Sequence, residues 1–220
     1  MDIGVDFGVG KGMNKFSDIV ESRDQLRSIL NEPSELVISK SLSRLDRHCG
    51  AFIQRSPFIL LASADGAGNV DVSPKGDPSG FVKVLDDATL AIPDRPGNNR
   101  ADTMENILQN PNVGLIFLIP GKSETLRISG TAQIVRDESL RQSMAINGRS
   151  PKLVIIVNIS EAFFHCSKCI IRSKLWQPEL WPAVDDLPRL ARTMVDAGNL
   201  ELTEQQMHEI VLTDERERLY

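Results

Sequence analysis

Short apolar stretches recur at close spacing between residues 58 and 166, and turn residues separate them. Residues 58–64, Phe-Ile-Leu-Leu-Ala-Ser-Ala, form a continuous apolar run of the kind a barrel strand shows. Asp65-Gly66-Ala67-Gly68-Asn69 is a hairpin turn, and residues 70–73 return from it. Pro74-Lys75-Gly76-Asp77-Pro78 then leaves the strand. Residues 81–85 resume it, Asp86-Asp87 turns, and 89–92 follow. Residues 113–119 and 125–135 supply two more strands, with a bend or bulge at Gly130 in the second. Residues 152–159 and 162–166 complete the series. About seven short strands with few long helices between them point to a mainly β, antiparallel barrel with α additions.

Helical spacing occurs mostly outside that series. Residues 22–30 place Leu26, Ile29 and Leu30 on one face and are stopped at Glu32-Pro33. Residues 39–52 predict a second helix, with Leu42, Leu45 and Cys49 inward. A short helix over 137–145 is capped by Asp137. Helices over 167–175, 185–195 and 203–212 follow, with Asp185 or Asp186 and Thr203 as caps of the last two. The chain divides into an N-terminal helical extension (1–44), the barrel (45–182) and a C-terminal helical arm (183–220). Gly8-Val9-Gly10-Lys11-Gly12 suggests a phosphate loop but lacks the full spacing and the Gly-Lys-Ser/Thr ending.

A net charge of −5 gives no reason to expect nucleic-acid binding. No apolar run reaches the roughly 20 residues of a membrane span. The acidic, glycine-rich start is unlike a secretory signal, and three cysteines form no disulfide ladder, so a reducing cytoplasm is the expected compartment.

In an acidic chain a local cluster of cations is informative. Residues 91–111 run from a strand through Pro93, Pro96 and Gly97 into a helix entered near Asn99 and stopped before Pro111. The loop carries Arg95, Asn98, Asn99 and Arg100. Unpaired N–H groups at a helix start, the helix dipole and a forked guanidinium suit a phosphate, although solvated arginines in an ordinary turn fit the same letters. Ser73-Pro74-Lys75 puts a proline in a strand, either as a bulge or to leave backbone groups free for a ligand. Arg172 and Trp176 lie one helical turn apart and could hold a flat anionic ligand, or be a surface Arg beside a core Trp. Cys166 and Cys169, in His165-Cys-Ser-Lys-Cys169, are too few ligands for a structural zinc unless His48 and Cys49 join them. Burial at a strand–helix junction is the simpler expectation, and no metal is predicted.

Taken in order, these stretches resemble the pyridoxamine 5'-phosphate oxidase-like family of FMN-binding split barrels, in its bacterial branch. The residues that carry the resemblance are Pro57 to Ser63, Asp71 to Asp77, Ile92 to Arg100 with Asn110-Pro111, and Phe164-His165-Cys166 through Arg172 to Trp176. The resemblance implies a six-stranded antiparallel split β-barrel. It further implies a homodimer with FMN bound between subunits. Arg95, Asn98, Asn99 and Arg100 would hold the phosphate and ribityl chain. Ser73, Pro74 and Lys75 would lie beside the isoalloxazine ring, and Arg172 and Trp176 would make late contacts from either subunit. The namesake oxidases carry an Arg-x-His segment near the end, which residues 183–191 (Ala-Val-Asp-Asp-Leu-Pro-Arg-Leu-Ala) lack. Pyridoxamine-phosphate oxidation is therefore not implied. The expected activity is FMN-dependent oxidation or reduction of a small molecule. The alternatives are a non-catalytic flavin binder or redox sensor, and a barrel holding haem through His48 or His165.

Overall fold

A computed structural model describes residues 16–220. Two compact units divide the chain between Ser39 and Lys40. The glycine-rich segment 8–12 lies outside the described residues. In the first unit α1 (Arg23–Ile29) starts at Ser22, whose side chain accepts from the Gln25 N–H, and α2 (Glu35–Ile38) adds one turn; neither helix buries a residue.

The second unit begins with α3 (Arg47–Ile53), which is shorter than expected. Asp46 accepts from the His48 and Cys49 N–H groups and so fixes the helix start there. Leu42 is extended instead of helical, exchanging two backbone bonds with Ala162 (2.8 and 2.9 Å).

The strands are β1 (Phe58–Ala64), β2 (Val70–Gly76), β3 (Lys83–Asp86), β4 (Thr89–Pro93), β5 (Asn112–Leu118), β6 (Thr125–Val135) and β7 (Val154–His165). They form one antiparallel sheet in the order β2-β1-β5-β6-β7-β4-β3. The sheet is an open split barrel with β2 and β3 at its edges. It has seven strands, the number counted along the sequence, and not the six that the resemblance implied.

Alternation along the strands builds the interior. Ile59 and Leu61 of β1, Leu90 and Ile92 of β4, and Phe117 of β5 are all fully buried. Each such side chain contributes about 1.5–3 kcal/mol by leaving water. Between β4 and β5 lies α4 (Asp102–Gln109), and Met104 and Ile107 on its inner face join Phe52 and Ile53 of α3 in the same core.

Two strands differ from expectation for identifiable reasons. Residues 152–166 were expected as two strands, but β7 is continuous. At the expected gap the β6–β7 register skips Ser160, which donates its hydroxyl to the Ser129 carbonyl. The bulge falls beside Gly130, where the sequence indicated one. The second difference is β2, which does not end at Ser73 but continues through Pro74 to Gly76. Asp77 N–H donates to Pro57 C=O (3.1 Å), so residues in step with it bond inward to β1 and Pro74 faces the free edge. A proline costs no ladder bond there.

After β6, α5 (Glu138–Ser143) leads to β7, and α6 (Lys168–Ser173), α7 (Leu190–Gly198) and α8 (Glu204–Glu217) follow. The α7 start is later than expected, and Asp185 and Asp186 are not its caps. Pro188 disfavours helical backbone at the preceding Leu187. Thr203 does cap α8, in a reciprocal arrangement with Gln206. No helix among the described residues is long and apolar enough to cross a membrane.

A Cβ on Gly130 would meet the Asn158 carbonyl oxygen at 2.1 Å, and backbone cannot rotate away as a side chain can. Gly130→Ala is expected to cost about 3 kcal/mol, the upper end for overpacking, read as a lower urea midpoint at unchanged slope.

Candidate functional site

The exit of β4 sets one wall of a groove. Pro93 pairs with Val154, and Asp94 N–H donates to the Leu153 carbonyl (3.0 Å), after which the chain leaves the sheet. The Asn98 side chain accepts from the Arg100 N–H (3.0 Å), tightening the loop. Asn99 and Ala101 both have φ of 59°, in the left-handed region. Asn tolerates it; for Ala it costs about 1 kcal/mol. Thus α4 begins at Asp102, three residues later than Asn99, and its N-cap Ala101 offers no side-chain acceptor. The Asp102 and Thr103 N–H groups lack a protein acceptor among the described residues and stand in a positive field, whereas the Met104 N–H is taken by the Ala101 carbonyl (2.8 Å).

Strand β2 forms the opposite wall. Asp71, Ser73 and Lys75 are half-buried on one face, whereas Val70, Val72 and Pro74 are exposed on the other. Residues 149–153 and, from beyond α8, Arg218 and Tyr220 complete the groove, whose volume is about 1090 Å³. All seven residues expected from β2 and the loop line it: Ser73, Pro74, Lys75, Arg95, Asn98, Asn99 and Arg100. Six lining residues are Lys or Arg and four are Asp or Glu, although the whole chain has an acidic excess.

The two loop arginines are held differently. Arg95 is nearly buried and donates Nε to Asp77 (2.6 Å) and Nη2 to the Met144 carbonyl (2.9 Å); the Asp77 side chain is 2% exposed. Only Nη1 of Arg95 lacks a protein partner among the described residues. Arg100 is 71% exposed and donates Nε to Asp102 (2.7 Å), leaving both Nη groups toward solvent. Arg95 thus braces the loop, and Arg100 is the more available donor.

Burial dominates the chemistry of two further groups. It pushes the Lys75 ammonium below its ordinary range, only partly offset by the Asp94 and Asp71 carboxylates. It pushes the Asp94 carboxyl up, partly offset by Lys75 and Lys152. Each is less settled in its charged form than in water, a condition typical of ligand and catalytic sites.

The late residues are elsewhere. Lys174 has φ of 53°, which ends α6 and leaves Trp176 beyond the helix, so Arg172 and Trp176 do not share a helical face as their spacing suggested. Trp176 Nε1 donates to the Lys122 carbonyl (2.7 Å), and neither residue lines the groove. Cys49 is buried, but Cys166 and Cys169 are exposed, contrary to the expectation of burial, because they flank the exposed start of α6. No cluster able to hold a metal occurs among the described residues, and neither His48 nor His165 lines the groove. Sequence reasoning passed over Asp94, Arg149, Lys152 and Tyr220. Asp94 stands in the same motif as Arg95; the other three come from distant stretches with no local signal.

The family model described as pyridoxamine 5'-phosphate oxidase matches residues 45–166. Similar solved structures include HupZ of Group A Streptococcus, at 19% identity and TM-score 0.46, over 55% of this chain and 93% of that one. An FMN-binding protein from Syntrophomonas wolfei is similar at 11% identity and TM-score 0.44, over 65% and 96%. A pyridoxamine 5'-phosphate oxidase-related, FMN-binding protein from Nostoc punctiforme is similar at 12% identity and TM-score 0.41, over 54% and 83%. No curated protein matches the chain significantly.

Asp77→Ala would strand the Arg95 charge. The expected loss is about 3 kcal/mol of folding stability, measured by urea unfolding, and a surface-pair loss below about 1 kcal/mol would refute the bracing role.

Proposed function

The chain belongs to the pyridoxamine 5'-phosphate oxidase family, and we propose that it is an FMN-binding flavoprotein acting as an oxidoreductase on a small molecule. The observation that carries this reading is the uncapped start of α4 facing a cation-rich groove, with the free Nη groups of Arg100 and the Asn98 and Asn99 amides beside it. Those donors fit a phosphate monoester and a polyol chain. The β2 wall, with Ser73, Pro74 and Lys75, fits the edge of a flat ring. FMN, when bound, supplies the electron transfer. The protein's part is to hold the phosphate, to place the Lys75 charge near the ring and to limit water. Lys75 and Asp94, both disfavoured in their charged forms by burial, are the titratable groups best suited to move or hold a proton there. The three free cysteines accord with a reducing cytoplasm.

A homodimer is part of the proposal. Phe58, Val70 and Val72 are 38, 72 and 54% exposed on the outer face of β1 and β2, an apolar surface in want of a cover. A second copy is the natural occupant, and Arg172 and Trp176 then reach the groove only from across the interface.

The protein as purified is expected to be yellow and to release FMN, and not FAD, on heating. Arg100→Ala should weaken FMN by about 1.5–3 kcal/mol in a fluorescence titration, the worth of a charged hydrogen bond. A colourless protein that takes up no added FMN would end this reading. By light scattering the native protein should be a dimer and Val72→Asp a monomer; dimers in both would remove β2 from the interface.

A further inference from the structure

We infer that the residues after α8 are a strap across the ligand groove, fastened by Tyr220, and that Tyr220 belongs to the binding site. This rests on the reading of the groove as an FMN site and goes beyond it, because the family match ends at residue 166 and the strap lies far outside it.

Two contacts fasten Tyr220, and the electrostatics of its phenol report a third neighbour. Its carbonyl oxygen accepts from Arg149 Nη1. Its ring lies 5.8 Å from the Arg95 guanidinium carbon, within cation–π range. Its hydroxyl faces Asp77, whose carboxylate raises the phenol pKa above the ordinary value, and burial adds to this; Arg95 opposes it. Tyr220 therefore docks on the same ion pair that braces the loop carrying Asn98, Asn99 and Arg100. Residues 212–219 are all exposed, and Tyr220 alone in that stretch is partly covered. Upstream, α8 is anchored by buried Met207 and its capped start. The arrangement is a helix exposed along its last turns, then Arg218 and Leu219, then an aromatic anchor in the groove, where Glu217 and Arg218 also line the wall. Tyr220 is itself only partly covered and Arg149 is exposed, so the anchor can lift from the buried ion pair without disturbing the core. A ligand bound beneath the strap is held until Tyr220 releases.

Tyr220 is the sole tyrosine of the chain, so tyrosinate absorbance reports on it alone. In protein stripped of ligand, its titration midpoint should lie above that of a free phenol and fall toward it in Asp77→Asn. An ordinary midpoint in the native protein overturns the strap whether or not FMN binds. With FMN loaded, Tyr220→Ala should release the flavin roughly two- to fivefold faster, the scale of one exposed cation–π contact, with Tyr220→Phe between it and the native protein. Equal release rates in all three would also overturn it. If the native protein takes no FMN, the cofactor reading fails, and the phenol titration still judges the strap.

Discussion

The ion pair between Arg95 and Asp77 is the constraint on which the groove depends. Asp77 stands just beyond β2 and Arg95 just beyond β4, strands on opposite sides of the split in the sheet. Hydrogen bonding along the ladder holds each strand to its own neighbours, but no ladder joins β2 to the β4–α4 loop. The pair supplies that join at 2.6 Å, and the Met144 carbonyl takes a second guanidinium donor. With both charges largely out of water, their attraction is screened little by salt. The geometry of every donor on the loop, from Asn98 to the start of α4, is set from this point.

Much of the fold is legible in the sequence because burial imposes period and turns impose breaks. Ile59, Leu61 and the Asp65–Asn69 turn give the first hairpin directly. The irregularity beside Gly130 is legible because a glycine inside a β-branched stretch marks a close backbone approach, although the extra residue, Ser160, lies on the partner strand. What the letters conceal is set at a distance. Whether Pro74 ends a strand or sits harmlessly in one depends on which side of the strand has a neighbour. Whether residues 39–46 are helical depends on Leu42 finding Ala162, some 120 residues away. The site was legible where it is one local motif, residues 95–100, and hidden where it is assembled. The letters also could not separate a bracing arginine from an available one, since Arg95 and Arg100 differ only in what surrounds them.

The groove also concentrates small local costs within the folded chain. Lys75 and Asp94 are both drawn from water without becoming a tight pair, and Ala101 is held in a backbone region that suits glycine. Each is a small cost to the folded chain. A ligand that brings negative charge to the groove offsets the desolvation of Lys75, and one that engages the first turn of α4 uses the backbone that Ala101 distorts. Folding and ligand binding are in this sense linked: whatever binds here should stabilise the chain by mass action.

The open split leaves β2 as an edge in which Pro74 presents no N–H outward. A foreign strand that tried to extend the sheet there would find a gap in the row of donors it must match. The same strand shows valines on its face. Its edge, interrupted at Pro74, resists growth strand by strand, the route by which sheets extend into fibres.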